Sequence, residues 1–139
     1  MRVLIETIPH YQQDYNTVGN WKFDAESGTL HIEVSQLTSV FKEFLVGIHE
    51  YIEAMLCLNE GTPQQEVTDF DLWWEQNKIG DEPGDAPTAP YKREHCIATG
   101  IERMLAAILH IDWYHYEEEL NVTMGGKLGE QTSDRPTEG

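Results

Sequence analysis

Histidine and glutamate residues occur at helical spacing within a stretch that is otherwise mostly apolar, residues 43–57. His49 and Glu53 are four residues apart, and Glu50 lies between them. Residues four apart lie one turn from each other on the same face of an α-helix, so this pair could supply two metal ligands. Glu50 adds a carboxylate beside the pair, which is the residue type that general acid–base catalysis uses.

Further polar residues lie on or beside the apolar sides of two later helical runs. His95 and Glu102 are seven residues apart, and Asp71 lies close to the apolar stripe of its own run. A charged group that is buried costs free energy unless it has a partner. We therefore expect one convergent cluster, made of the following five residues: His49, Glu53, Asp71, His95 and Glu102.

The composition of this cluster favours a particular class of metal ion. Two imidazoles combined with carboxylates are typical of zinc or a similar divalent ion, whereas calcium prefers a shell made only of oxygen atoms. The sequence thus predicts a zinc-type site formed by His49, Glu53 and His95. Asp71 or Glu102 would act as a fourth ligand or would hydrogen-bond to the ligands.

Residues 46–55, VGIHEYIEAM, resemble the active-site helix of the zincin metallopeptidases, whose pattern is H-E-x-x-H in mostly apolar surroundings. In this chain Glu53 replaces the second histidine. The resemblance implies that His49 and Glu53 are ligands and that Glu50 is the general base that activates a metal-bound water. It also implies a third ligand from a later helix, for which His95 or Glu102 is available, and a metal-dependent hydrolase.

A second resemblance concerns carboxylates alone. Glu50-x-x-Glu53, followed after twelve residues by Glu66-x-x-Asp69, is similar to the pattern of the all-α nucleoside-triphosphate pyrophosphatases. In that family four acidic residues hold magnesium on the phosphates of a nucleotide. This resemblance implies a magnesium-dependent pyrophosphatase as an alternative function.

In its general character the chain also looks like the small accessory proteins encoded by tailed phages. That resemblance implies a third class of function, a non-enzymatic acidic protein that binds or inhibits a protein or peptide partner. The chain has 25 acidic residues against 9 Lys and Arg, which gives a formal net charge of −16. Such a charge repels phosphate backbones and anionic membranes, so we expect neither nucleic acid nor a membrane as a partner.

The cysteines and the hydropathy pattern indicate a cytoplasmic protein. Cys57 and Cys96 both fall in helical runs and belong to no disulfide framework, so we expect reduced thiols. No apolar run approaches the length of a membrane span, and the N-terminus lacks the apolar region of a signal peptide.

The elements that position these residues are predicted from periodicity and from caps. Residues 3–8, 21–23 and 29–34 are predicted strands, and the last two flank a hairpin loop. Four helices follow, starting after Ser35 or Ser39, Thr62, Pro90 and Asp112, and ending near residues 58, 77, 110 and 120.

The predicted fold class is therefore α+β, with an N-terminal β-hairpin or small antiparallel sheet packed on three to four helices. Residues 1–120 would form a single domain and residues 121–139 a flexible tail.

The same periodicity predicts which sides of the first and third helices are apolar. The first helix groups Phe41, Phe44, Leu45, Ile48, Ile52, Met55 and Leu56. The third groups Ile97, Ala98, Ile101, Met104, Leu105, Ile108 and Leu109. We expect these sides to face the core.

Overall fold

Three strands form a mixed sheet at the N-terminus of the computed structural model, which describes residues 1–77, 83, 86 and 88–125. The strands are β1 (Arg2–Ile8), β2 (Gly19–Asp24) and β3 (Thr29–Ser35), in the spatial order β1-β3-β2. β2 and β3 form the expected antiparallel hairpin. β1 pairs with β3 in the parallel direction, so the sheet is mixed rather than antiparallel. The hairpin follows from a local turn, whereas the partner of β1 is set by contacts distant in sequence.

The central strand provides the apolar floor of the core. Leu30, Ile32 and Val34 are all buried, as the alternating pattern of β3 predicts. They belong to the same buried cluster as Trp21 on β2 and Leu45 in the first helix. The sheet therefore has one face against the helices and supports the elements that carry the candidate site.

Four helices follow the sheet, which confirms the α+β class: α1 (Val40–Glu60), α2 (Gln64–Asn77), α3 (Lys92–Ile108) and α4 (Trp113–Thr123). The hydroxyl of Ser39 accepts a hydrogen bond from the Phe41 amide and caps α1. Gly61 ends α1 in the left-handed conformation, with φ of 79°, which glycine adopts at little cost. Asp112 caps α4 through the His115 amide.

α1 and α3 lie side by side in opposite directions. His49 contacts Glu102. Glu53 lies one turn after His49 in α1, and it contacts His95, which lies almost two turns before Glu102 in α3. α1 also packs on β2 and β3, so it is the central helix of the molecule. This arrangement brings the polar residues of two distant sequence segments together.

The face that α1 buries matches the predicted one only in part. Leu45 is buried, as are His49 and Glu53, whereas Phe41, Phe44 and Met55 of the predicted apolar side are exposed. The expectation that the whole apolar side faces the core was therefore wrong. The inward face carries polar groups that pair with one another, which offsets the cost of burying them.

α3 also buries its predicted apolar side only in part. Its buried residues include Ala98 and Ala106 but also three polar ones, Glu94, His95 and Glu102. Ile97, Met104 and Ile108, which we expected in the core, are exposed. Both helices thus turn polar side chains inward and large apolar side chains towards solvent.

The chain ends differ slightly from the prediction. α4 continues to Thr123, three residues beyond its predicted end, so the first residues of the predicted tail are helical. The rest of that tail, residues 126–139, lies outside the described residues, as does most of the predicted loop 79–89. Within the described ranges, every helix is too short or too polar to cross a membrane.

Candidate metal centre

Three buried side chains converge between α1 and α3. One oxygen of Glu53, Oε2, lies 3.4 Å from His49 Nε2 and 3.1 Å from His95 Nδ1. The centroids of the two imidazole rings are 4.8 Å apart, and the three potential ligand atoms all lie within 4.8 Å of one another. His49, Glu53 and His95 thus form a triad that could hold a metal ion.

The spacing of the triad can be compared with that of a zinc site. In a tetrahedral site with bonds of about 2.0–2.1 Å, neighbouring ligand atoms are about 3.3–3.4 Å apart. The two distances from Glu53 Oε2, 3.1 and 3.4 Å, are close to that value. Two of the three distances therefore fit a small divalent ion, and the two imidazole nitrogens, which lie within 4.8 Å of each other, would both have to reach the same ion.

The ring nitrogen of His49 that faces away from the triad is held by Glu102. His49 Nδ1 lies 2.7 Å from Glu102 Oε1, and the Tyr116 hydroxyl donates to Glu102 Oε2 at 2.5 Å. A proton on Nδ1 donates to the Glu102 carboxylate, so Nε2 is the nitrogen that could bind a metal ion once it loses its proton. This carboxylate–histidine arrangement is the one that fixes the tautomer and orientation of a metal-binding imidazole.

The other two members of the triad also have partners that orient them. The Trp21 indole donates to the second oxygen of Glu53, Oε1, at 3.3 Å. His95 Nε2 lies 3.5 Å from the Thr99 hydroxyl, one turn along α3. Each member therefore keeps one atom turned into the triad while a different atom is held by a neighbouring residue.

The charges of the triad are strongly coupled. Burial alone raises the pKa of Glu53, but the hydrogen bonds and positive charge of His49 and His95 outweigh burial and hold that pKa at about 2. Burial lowers the pKa of His49, but its hydrogen bonds to Glu102 and Glu53 raise that pKa well above its ordinary value. Without a metal ion, the raised pKa of His49 favours a proton on its imidazole beside the two carboxylates.

Glu50 lies beside the triad on the wall of a cavity. A Cβ atom placed on Gly19 would come within 2.7 Å of the Glu50 Cγ, so the glycine in β2 leaves room for this side chain. Removal of the Glu50 carboxyl from water raises its pKa, and repulsion by Glu53 raises it further, to about 8. The position suits a group that exchanges a proton next to the triad.

Asp71 occupies a different part of the same cavity. Its carboxylate accepts hydrogen bonds from the hydroxyl of Tyr15, at 2.7 Å, and from the hydroxyl of Tyr91. Burial raises the pKa of Asp71 to about 6, although the two hydroxyls act in the opposite direction. The Tyr91 ring, which donates to Asp71, lies edge-on to the His95 ring with centroids 6.2 Å apart.

The cavity that these residues line has a volume of about 270 Å³. Its walls come from β2 and the segment before it, from α1, α2 and α3, and from the end of α4. Four carboxylic residues line it: Glu50, Glu53, Asp71 and Glu102. Among the described residues no Lys or Arg lines it. The cavity is therefore small, aromatic in part, and lined by both carboxylic groups and imidazoles.

The structure brings together most of the residues that the sequence indicated. His49, Glu53 and His95 form the triad, and Glu102 contacts His49 as a hydrogen-bond partner. Asp71 lines the cavity, but its described contacts are with tyrosines and not with the triad.

The four carboxylates of the pyrophosphatase-like pattern are not assembled. Glu50 and Glu53 face the cavity, whereas Glu66 and Asp69 are exposed on α2 and line no part of it. Asp69 accepts a hydrogen bond from Gln65 on the outer side of that helix. A magnesium site built from all four residues would need a different orientation of α2.

Sequence reasoning did not single out several residues that support the site. Trp21, Tyr15, Tyr91, Thr99 and Tyr116 each contact a carboxylate or an imidazole of the cavity. Their spacing carries no signal, because they lie on five different elements or loops. Only the positions of Thr99 and His95, one turn apart on α3, could have suggested a contact.

Comparisons with known proteins add no family to these observations. No protein-family model, curated protein or solved structure matched the chain. The functional argument therefore depends on the geometry of the site itself.

Proposed function

We propose that this protein is a hydrolase that binds a zinc-type divalent ion through His49, Glu53 and His95 and uses Glu50 as the general base. The observation that carries the proposal is the set of outer contacts described above. Each ligand atom faces the triad while another atom of the same side chain is held by Glu102, Trp21 or Thr99. A ligand held in this way keeps its orientation towards the ion.

The number of ligands supports a catalytic rather than a structural ion. Structural zinc sites are closed by four protein ligands, whereas catalytic sites keep three and leave a position for water or substrate. Here three residues form the triad, and all three also line the cavity. When bound, the ion would supply Lewis acidity, which lowers the pKa of a coordinated water and polarises a carbonyl group.

Glu50 is the residue placed to move a proton in this reaction. It lines the cavity one residue after His49, and Gly19 leaves space for it. In hydrolysis of an ester or amide, water oxygen bonds to the carbonyl carbon and Glu50 takes the proton. The bond to the leaving group then breaks, and the leaving atom keeps the electron pair and receives that proton from Glu50.

The cavity favours a small, neutral or cationic substrate. Its volume of about 270 Å³ is below the range of about 300–1,000 Å³ that is typical of drug-sized ligands. Among the described residues no Lys or Arg lines it, so it lacks the side chains that usually bind a phosphate or carboxylate group. A small ester or amide fits these properties better than a nucleotide.

The first experiment tests the metal. Protein purified without added metal is analysed for bound transition metals, and the stripped protein is titrated with zinc. We expect one equivalent of tight binding that His49→Ala and His95→Ala each reduce more than about 100-fold. His31→Ala is the matched control, because His31 pairs with Glu6 on the face of the sheet that points away from the core. Zinc binding that is unchanged in both His49→Ala and His95→Ala would exclude the site.

The second experiment separates the enzyme from the metal site. Glu50→Gln keeps the shape of the side chain but cannot accept the proton, so we expect full zinc binding and loss of hydrolysis of small ester and amide substrates by a factor of about 10²–10⁴. Hydrolysis that survives this substitution would rule out Glu50 as the base while leaving the metal site intact.

A non-enzymatic interaction protein is the second candidate. α2 presents Leu72 and Trp73 to solvent next to the exposed carboxylates of Glu66 and Asp69, which suits a basic protein or peptide partner. Binding of a lysine-rich test peptide should then weaken with added salt, be lost in Trp73→Glu and persist in Glu50→Gln. Absence of binding in the unmodified protein would dismiss this candidate.

A further inference from the structure

The outward sides of α1 and α3 carry large apolar residues that a monomer has no reason to expose. Three are on α1, at positions 41, 44 and 55, and three are on α3, at positions 97, 104 and 108. Phe41 is 57% exposed, Met104 58% and Ile108 65%. We call these six residues, with the half-buried Ile48 and Ile101 between them, the outer helical face.

The spacing of the outer helical face is that of a helical bundle. Phe41, Phe44 and Ile48 follow one another at intervals of three and four residues, and Ile97, Ile101, Met104 and Ile108 at intervals of four, three and four. Alternation of three and four places residues on one seam of a helix that packs against another helix. Nothing in the described chain covers this seam.

We infer that the outer helical face is the interface of a homodimer, in which α1 and α3 of two copies form a four-helix bundle. One copy supplies two antiparallel helices, and a second copy supplies the two that complete the bundle. The same patch on both copies meets around a two-fold axis, as in most dimers of identical chains.

The area available is close to what such an interface needs. At about 200 Å² for a large apolar residue, the six exposed fractions leave on the order of 600 Å² of apolar surface open to solvent. A standard interface takes about 800 Å² from each partner, polar rim included. The outer helical face would supply the apolar centre and its neighbours the rim.

The dimer is compatible with the candidate metal centre. α1 and α3 turn His49, Glu53, His95 and Glu102 towards the cavity, on the sides of the helices that are buried in one copy. The outer helical face lies on their other sides, so pairing leaves the cavity wall of each copy unchanged. The inference does not depend on the metal or on hydrolysis.

The test is the molecular mass of the full chain in solution, measured by sedimentation or light scattering. We expect twice the 16.0 kDa of one chain at micromolar concentration. Met104→Glu and Phe41→Glu should each weaken association by at least about 30-fold, because each places a charge in the apolar centre. Both side chains are exposed in one copy, so the circular dichroism spectrum should not change.

Two comparisons complete this experiment. Tyr114→Glu is the matched control, because Tyr114 is 73% exposed on α4, outside the outer helical face, and should leave the dimer intact. Added salt should strengthen the dimer, since two chains of net charge −16 repel each other. A monomeric unmodified protein would overturn the inference and assign the face to a different partner. A dimer that both Glu variants leave intact would overturn it as well.

Discussion

Glu53 and Asp71 are two carboxylates of one cavity with opposite electrostatic environments. Glu53 lies between two imidazoles, which hold its pKa at about 2 although burial acts against them. Asp71 has two phenol hydroxyls as partners, and burial raises its pKa to about 6. The two hydroxyls lower the pKa of Asp71 but do not outweigh its burial, whereas the two imidazoles outweigh the burial of Glu53.

This difference in pKa suggests that the two carboxylates have different roles in the cavity. Glu53 is ionised over the whole physiological pH range, as a metal ligand must be. Asp71 gains and loses its proton near pH 6, and its hydrogen bonds are with tyrosines and not with the triad. We therefore expect Glu53 to determine metal binding and Asp71 to affect mainly the stability of the metal-free protein.

The largest effect should appear when the two carboxylates are neutralised one at a time. Glu53→Gln removes a charged ligand and should weaken zinc binding more than about 1,000-fold, or about 4 kcal/mol. Asp71→Asn should change zinc affinity by less than about threefold. Competition with a coloured chelator measures both. Equal losses of zinc affinity in the two variants would contradict these different roles.

Loss of the group that orients His49 should have the next largest effect. Glu102→Gln keeps the shape but weakens the hold on His49 Nδ1, and partners of this kind typically contribute 10–100-fold to metal affinity. Tyr116→Phe, which removes the donor to the far oxygen of Glu102, should cost less. The same chelator competition applies, and an unchanged affinity in Glu102→Gln would show that the tautomer of His49 needs no support.

The pH dependence of stability should report on Asp71. Because its folded pKa is raised from 3.8 to about 6, the folded state binds more protons than the unfolded state between these values. The stability contributed by this proton is present at low pH and is lost as the pH rises through 6. From pH 4.5 to pH 7 the loss is about 2 kcal/mol.

Urea unfolding of metal-free protein measures this effect, and the difference between the unmodified protein and Asp71→Asn isolates it from other titrating groups. The pH range avoids the opposite contribution of Glu53, whose lowered pKa costs stability only below its unfolded value of 4.5. A difference that stays constant with pH would show that Asp71 titrates normally.

The smallest effect should come from one phenol hydroxyl. Tyr15→Phe removes the donor to Asp71 Oδ2 and should cost about 1 kcal/mol at pH 7. The cost should be smaller at pH 5, where Asp71 is protonated and depends less on the donor. Tyr11→Phe is the matched control, because Tyr11 is 84% exposed. An identical cost at both pH values would mean that the hydroxyl contributes through packing alone.

Local patterns predicted much of the fold. Alternation in β3, the cap at Ser39 and the glycine at position 61 each depend on neighbours in sequence, and the structure confirms all three. The partner of β1 could not be predicted in this way. Its pairing with β3 joins segments more than 20 residues apart, and a hydrophobic run does not indicate whether it will pair in the parallel or the antiparallel direction.

The candidate site was predictable in its residues but not in its roles. Spacing placed His49 and Glu53 on one face of a helix, and the cost of buried charge suggested that His95 and Glu102 would join them. Sequence could not distinguish a ligand from a residue that orients a ligand. That distinction depends on distances of about 3 Å between atoms of different helices.

The sequence by itself determined the elements, their caps and the polar residues that each helix had to satisfy. Only the tertiary structure decided that α1 and α3 leave Phe41, Met104 and Ile108 outside. Helical periodicity states which residues share a side but not which side the rest of the chain covers. In this protein the inward side was decided by the pairing of His49 with Glu102 and of Glu53 with His95 across two helices.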